Sequence, residues 1–204
     1  MVTIRTVGVL CIQGAVHEHI AMMEQVFKNH ETLGRVVPVR SKKDIDLLDA
    51  LILPGGESTT ISKMLYSSGM YILLRQRLES QQLPIMGTCA GCVLLAKKIT
   101  DSDTGVHLLE AMDMCVERNA FGRQKESFEQ EITFLGFQKP FPAVFIRAPL
   151  ITEVWGKRIQ VLATLDTKNQ KIVAARQNNL LALSFHPELT TDLRIHEYFF
   201  KMIL

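Results

Sequence analysis

The sequence has almost no excess of charge: 23 basic and 21 acidic residues leave a net +2 over 204 residues. Its lysines and arginines are scattered, with no basic block, so nothing points to a nucleic-acid or other polyanionic partner. No apolar run approaches the ~20 residues of a membrane span. The apolar stretch at residues 6–12 follows a single Arg5 and lacks the length and flanks of a signal peptide. Four cysteines are too few for a disulfide framework in a chain of this size. These absences lead to the expectation of a cytoplasmic protein in a reducing compartment, away from membranes. Repeats, low-complexity segments and linkers are absent too. The chain is 47% hydrophobic, enough to fill one core, and residues 1–204 read as a single domain.

What is present is an alternation of short apolar runs and helical spacing. Strands are expected at residues 7–12, 35–39, 50–53 and 83–86. Helices are expected at 15–28, 42–49, 58–66, 70–80 and, through Lys97 and Lys98, at 92–98. Such alternation implies βαβ units and a mostly parallel sheet covered on both faces, a three-layer αβα architecture. After residue 110 the pattern changes. Strands at 111–117, 129–135, 143–147, 160–165 and 172–176 follow one another with few helices between, which predicts an antiparallel extension. A last strand at 180–185 and a closing helix at 192–202 complete the chain.

The stretch that organises the rest is Ile85-Met86-Gly87-Thr88-Cys89-Ala90-Gly91. Cys89 sits where a buried strand turns sharply into a helix, between two glycines. This is the thiol form of the nucleophile elbow, in which flanking side chains would clash across the tight turn. A free thiol titrates near 8.5, so only a few per cent is thiolate at neutral pH. A helix N-terminus is worth ~0.3–1 kcal/mol against ~1.36 kcal/mol per pKa unit. A strongly activated thiolate therefore needs an imidazole beside it.

His186-Pro187-Glu188, at the exit of the last strand, supplies one. In extended chain, residues two apart face the same way. Glu188 can then accept a hydrogen bond from one ring nitrogen of His186 and leave the other for the thiol, as triads require. The other histidines (His17, His19, His30, His107 and His196) show no such partner pattern. A metal held by His17, Glu18 and His19 is disfavoured, because their helical spacing sends them to different sides. Pro54-Gly55-Gly56-Glu57-Ser58 lacks the spacing and lysine of a phosphate loop. It could be a plain turn with Ser58 as helix cap. In elbow hydrolases such a loop gives a second oxyanion N–H, which here would be that of Gly56, beside that of Ala90. Cys89 and Cys92 also form a C-x-x-C, which raises a redox reading; the alternative is that Cys92 is a small buried residue. Arg118 and Arg147, in polar islands between strands, could be surface residues or could clamp the α-carboxylate of an amino acid.

These segments together resemble the class I, triad-type glutamine amidotransferases, and within them the glutaminase subunits of pyridoxal 5′-phosphate synthase. The resemblance runs nearly end to end. It is carried by Gln13-Gly14-Ala15-Val16 with Glu18-His19, by residues 53–60 and by residues 87–91. It continues through Glu117-Arg118-Asn119 with Phe121-Gly122-Arg123-Gln124, residues 145–149 and residues 184–190. It implies a flavodoxin-like fold and hydrolysis of L-glutamine to glutamate and ammonia. Cys89 would be the nucleophile, His186 the base and Glu188 its orienter. Gly56, Glu57, Ser58, Arg118, Ile146 and Arg147 match the family's glutamine-binding positions. Gln13 falls where the family's N-terminal segment meets the subunit interface and the oxyanion loop. The resemblance further implies a separate barrel-shaped synthase subunit, in a large hetero-oligomer, that receives the ammonia. No metal or organic cofactor is implied. The departure is Cys92, where the family usually has an apolar residue such as leucine. Two other classes compete: another elbow-type hydrolase, of the protease or deglycase kind, and a non-catalytic binding subunit.

Overall fold

The computed structural model describes residues 5–31, 33–101, 105–121, 127–165 and 171–204. In chain order the first half comprises β1 (Arg5–Leu10), α1 (Val16–Asn29), β2 (Gly34–Val39), α2 (Lys42–Ile45), β3 (Ala50–Leu53), α3 (Ser58–Ser67), α4 (Met70–Glu79), β4 (Ile85–Thr88) and α5 (Ala90–Leu95). The second half comprises β5 (Ala96–Ile99), β6 (Met112–Glu117), β7 (Ser127–Ile132), β8 (Phe141–Ile146), β9 (Leu150–Val154), β10 (Ile159–Thr164), β11 (Ile172–Gln177) and β12 (Leu180–Leu183). A 3-10 turn (Pro187–Leu189) and α6 (Arg194–Ile203) end the chain.

The main sheet runs β2-β1-β3-β4-β12-β11-β9-β6-β5, with β10 against β11. Its first five strands are mutually parallel. From β12 the direction reverses to β11, and again through β9 to β6. The expected parallel core with an antiparallel extension is what the chain forms.

Strands β3, β4 and β12 are buried at every position. Their side chains alternate between two cores. Ala50, Ile52, Met86, Leu181 and Leu183 face α1, α6 and the aromatic side chains around β8. Leu51, Leu53, Ile85, Leu180 and Ala182 face α2 to α5. Continuous apolar runs are what a strand covered on both faces requires. Helix α1 turns Val16, His19, Met23, Val26 and Phe27 inward, and α6 turns Ile195, His196, Phe199, Phe200 and Ile203 inward. Each stripe carries one histidine among apolar residues.

Several expected elements differ. Residues 96–98 were expected to continue the elbow helix, but α5 stops at Leu95 and Ala96 turns extended (φ −65°, ψ 150°) into β5. Lys97 there pairs with Asp113, and Lys98 lies 5.2 Å over the Trp155 ring. These long-range partners outweigh the helix preference of lysine. Strand β9 was not foreseen. Its LITEV sequence is short, and its place between β11 and β6 is set by tertiary pairing. The strands expected at 129–135 and 143–147 leave the main sheet and form a separate antiparallel ribbon, β7–β8. Phe128 and Phe145 stack in it at 4.7 Å, and Phe185 contacts Phe145 edge-on. The helix expected over 42–49 is the single turn of α2, capped by Ser41 and Asp44.

Both elbow glycines are required by close approach. A Cβ on Gly91 would lie 2.1 Å from the Leu53 carbonyl oxygen, and one on Gly87 would lie 2.5 Å from the Gly91 carbonyl oxygen. Both obstacles are backbone, so relief means moving α5 off the sheet. Gly91→Ala is expected to cost ~1–3 kcal/mol or more, as overpacking does. Gly136 has a positive φ of 91° but open space around it, so Gly136→Ala would report backbone strain alone. Urea denaturation of both variants checks this; a Gly91→Ala protein as stable as the parent would show that α5 can shift freely.

Candidate active site

Cys89 is the N-cap of α5 and has φ 49° and ψ −104°, a region L-residues rarely occupy. Such strain costs ~1–3 kcal/mol and persists only when the surroundings enforce it. Here they do. The Cys89 N–H donates to the Leu183 carbonyl at 2.8 Å, and the Cys89 carbonyl accepts from Val93 N–H at 3.2 Å. The strand before Cys89 is fixed by β3 and β12, and the helix after it is buried throughout.

The strand exit after β12 carries His186 to the same place. Its N–H donates to the Val144 carbonyl of β8 at 2.8 Å, so the aromatic ribbon fastens the histidine. Its Nδ1 lies 2.7 Å from Glu188 Oε1. The pairing was expected, but its backbone is different. Pro187–Leu189 is a 3-10 turn and not extended chain. The turn sinks Glu188 beneath the imidazole, where its side chain is wholly buried.

Burial opposes charge on His186, but the Cys89 thiol and the Glu188 carboxylate more than offset it. The imidazole is pushed up to about 10. Burial likewise opposes charge on Glu188, and the histidines His19 and His186 hold it below its ordinary value all the same. At neutral pH His186 is therefore an imidazolium, held between the Cys89 sulfur and the Glu188 carboxylate. Helix α5 is only six residues long, so its dipole adds little beside this pair.

A cavity of about 730 Å³ opens above Cys89. Its lining includes Cys89, Ala90 and His186 together with Gly56, Glu57, Ser58, Arg118, Ile146 and Arg147. Every expected site residue except Glu188 faces it, and Glu188 lies behind His186. Ile146 offers its carbonyl 3.8 Å from Cys89 Sγ. Asn119 and Arg147, like Cys89, have positive φ. Gly122, Arg123 and Gln124, part of the resembling segment, lie outside the described residues.

The glycine loop before α3 is packed onto the site. A Cβ on Gly55 would lie 2.3 Å from His186 Cε1 and 3.2 Å from Cys89 Cβ. Gly14 lies below it with φ 101°, where a Cβ would fall 1.8 Å from the Gly55 carbonyl oxygen. Gln13 Oε1 accepts from Glu57 N–H at 3.0 Å and ties the loop to the end of β1. Ser58 was one candidate for the cap of α3; the cap is Glu57, whose carboxylate accepts from Thr59 and Thr60 N–H. Burial works against the Glu57 charge, and these N–H donors keep it ionised below its ordinary value. Ser58 Oγ accepts instead from Arg118 Nη1 at 3.2 Å, and Thr59 Oγ1 does so at 3.0 Å. Arg118 also reaches Asp101 at 3.2 Å and Glu57 at 3.9 Å. Its fork is thereby held at the rim of the cavity.

Cys92 faces the other core and is fully buried, its thiol pushed far up by burial. It is placed as a small buried residue, the alternative to the redox reading. His17 is exposed while His19 is buried, so the two do not converge on a metal. What the sequence reading missed is His19. Its Nε2 stands 3.3 Å from Glu188 Oε2, and its Nδ1 stands 3.0 Å from His196 Nε2. The available signal was a polar residue on the apolar stripe of α1.

The fold and site define a class: an α/β protein with a cysteine elbow and a Cys–His–Glu line opening on a cavity of about 730 Å³. The comparisons narrow it. Residues 9–204 match the SNO glutamine amidotransferase family, and the chain belongs to that family. It is 46% identical over 203 residues to a protein of Staphylothermus marinus named pyridoxal 5′-phosphate synthase subunit PdxT, covering 97% of this chain and 98% of the relative. It is 49% identical over 197 residues to the like-named protein of Brevibacillus brevis, covering 97% and 96%. A solved glutamine amidotransferase superposes with a TM-score of 0.83 at 42% identity, over 97% of this chain and 98% of that one.

The pair His186–Glu188 makes stability depend on pH in a defined way. Glu188, lowered from 4.5, contributes above that value and loses its contribution as acid reaches its folded value. His186, raised from 6.5 to about 10, contributes fully below 6.5 and loses its contribution as pH rises toward 10. The destabilisation caused by Glu188→Gln should therefore be largest between pH 4.5 and 6.5 and shrink on either side. Urea melts of parent and variant across about pH 3–11 read it. A difference that is flat with pH would deny the charge coupling.

Proposed function

We propose that the chain is the glutaminase subunit of a pyridoxal 5′-phosphate synthase, hydrolysing L-glutamine to L-glutamate and ammonia. One observation carries the reading. A near-full-length member of the glutamine amidotransferase family keeps a Cys89–His186–Glu188 line at the floor of a cavity of about 730 Å³. Relatives alike over nearly the whole chain bear the synthase-subunit name, which supports the pathway.

The chemistry follows from the groups present. The Cys89 thiolate attacks the side-chain amide carbon of glutamine, forming a C–S bond. The carbonyl electron pair moves onto oxygen, which rests on the Gly56 and Ala90 N–H groups. The His186 imidazolium gives its proton to the amide nitrogen, and the C–N bond breaks to release ammonia. Water then adds to the thioester, losing its proton to His186, and the C–S bond breaks to return the thiolate and glutamate. Glu188 holds the ring and balances its charge throughout. Glu57, Ser58, Arg118, Ile146 and Arg147 bind the amino-acid end of the substrate. Arg118 and Arg147 suit an α-carboxylate, for which a planar fork gives paired hydrogen bonds. The steps use protein groups and water alone. Ammonia passes to a barrel-shaped synthase subunit in a large hetero-oligomer. A reducing, cytoplasmic setting suits a reaction that depends on a free thiol. No helix among the described residues is long and apolar enough to cross a membrane.

Ammonia release from L-glutamine is the test, with the full chain alone and mixed with a cognate synthase subunit. Release is expected to rise with the synthase and to fall by ~10³-fold or more in Cys89→Ala, the scale on which loss of a nucleophile acts. Strong release indifferent to the synthase would keep the amidotransferase chemistry and remove the pathway. No release from folded, reduced protein under either condition would return the site to the other elbow hydrolases.

A further inference from the structure

Glu188 presents two oxygens to a fully buried environment. Oε1 accepts from His186 Nδ1 at 2.7 Å. Oε2 is buried and accepts no aligned hydrogen bond among the described residues; the imidazole of His19 stands closest to it, with Nε2 3.3 Å away. That nitrogen is also 3.3 Å from Thr88 Oγ1, one residue before Cys89. His19 is wholly buried, and Nδ1 on its far side lies 3.0 Å from Nε2 of the equally buried His196 on α6. From Cys89 the line of contacts thus runs through His186, Glu188, His19 and His196, crossing from the sheet into the two helices that cover it.

The tautomers along this line follow from its end. His196 Nδ1 is buried and has no hydrogen-bond partner among the described residues. A proton there would be an orphaned donor, the costlier kind of unmade bond. The proton of His196 therefore sits on Nε2 and is donated to His19 Nδ1. His19 must then carry its own proton on Nε2, facing Thr88 and Glu188. The reverse arrangement would set a bare nitrogen lone pair against a carboxylate. Burial holds both histidines below their ordinary value, so both are neutral donors at neutral pH. The charged groups that bear on His19 are Glu188 from the 3-10 turn, His186 from the strand exit and Glu18 from its own helix; Thr88 and His196 are its polar contacts.

We propose that His19 is a positioning residue for the hydrolysis: its Nε2–H, in a tautomer set by His196 and shared with Thr88, faces the second oxygen of Glu188 from 3.3 Å and keeps the carboxylate aimed at His186. The proposal rests on the Cys89–His186–Glu188 reading above. Without the His19 N–H facing its buried Oε2, the Glu188 carboxylate takes up a proton at higher pH. A protonated Glu188 no longer balances the imidazolium, and the thiolate beside it is lost.

The test uses the full chain with the synthase subunit for turnover, and the chain alone for alkylation of Cys89 by iodoacetamide against pH. His19→Met removes the donor and keeps the reach; His19→Gln keeps an N–H near the Nε2 position. His19→Met is expected to lower kcat roughly ten- to hundred-fold, the range of a charge-assisted hydrogen bond, with KM for glutamine little changed. The acid limb of Cys89 alkylation should move to higher pH in His19→Met and return in His19→Gln. In a Glu188→Gln background, His19→Met should add almost nothing, because its route is already cut. Unchanged kcat and acid limb in His19→Met, or losses that simply add to those of Glu188→Gln, would overturn the proposal. If the variants do not fold, nitrogen NMR of histidine-labelled parent protein decides: the Nε2–H tautomer at neutral pH is required, and the Nδ1–H form or an imidazolium at His19 refutes it. Parent protein that alkylates normally yet releases no ammonia would count against the glutaminase reading and leave the alkylation arm to judge His19.

Discussion

Helix α5 touches the sheet backbone to backbone. At Gly91 there is no room for even a methyl group above the Leu53 carbonyl, and at Gly87 none beneath the Gly91 carbonyl. Everything at the site depends on this approach. It forces Cys89 into its left-handed conformation, lifts the sulfur out of the sheet and lets the Gly55–Gly56 loop lie over it. Gly55 repeats the device one layer up, because its missing Cβ leaves room for the His186 ring. Close approaches, of Gly14 to the Gly55 backbone and of Gly55 to the His186 ring, therefore fix the loop against the site.

Electrostatics then use what sterics have placed. A thiol and a carboxylate on either side of one imidazole make that imidazole a strong base, pushed up to about 10 although burial works against it. The carboxylate itself is buried, with His186 and His19 against its two oxygens. The same low polarity that makes an unpaired buried charge costly makes this pairing strong. The aromatic ribbon β7–β8 belongs to the same arrangement, since Val144 on it accepts the His186 N–H.

The parallel core was readable because strands buried on both faces must be continuously apolar, and Ala50–Leu53 and Leu180–Leu183 are. The elbow was readable because glycine spacing around a cysteine reports a steric need within seven residues of chain. The lysines at 97 and 98 misled, since they suit a helix end as well as an exposed strand face, and only Asp113 and Trp155 across the sheet decide between them. The His186–Glu188 pairing was right and its extended backbone was not, because both an extended chain and a 3-10 turn can bring residues two apart together.

By itself the sequence determined the fold class, the family and the cysteine elbow with its His-Pro-Glu counterpart, for these are written in local spacing and in nearly continuous segments. Only the tertiary structure decided which oxygen of Glu188 meets which nitrogen, that Cys92 faces the core and Cys89 the cavity, and that His19 and His196 lie behind the site. The reason is physical. Hydrogen bonds between residues 177 positions apart, as His19 and His196 are, leave no periodicity in the chain, and they exist only once two helices have packed on one sheet.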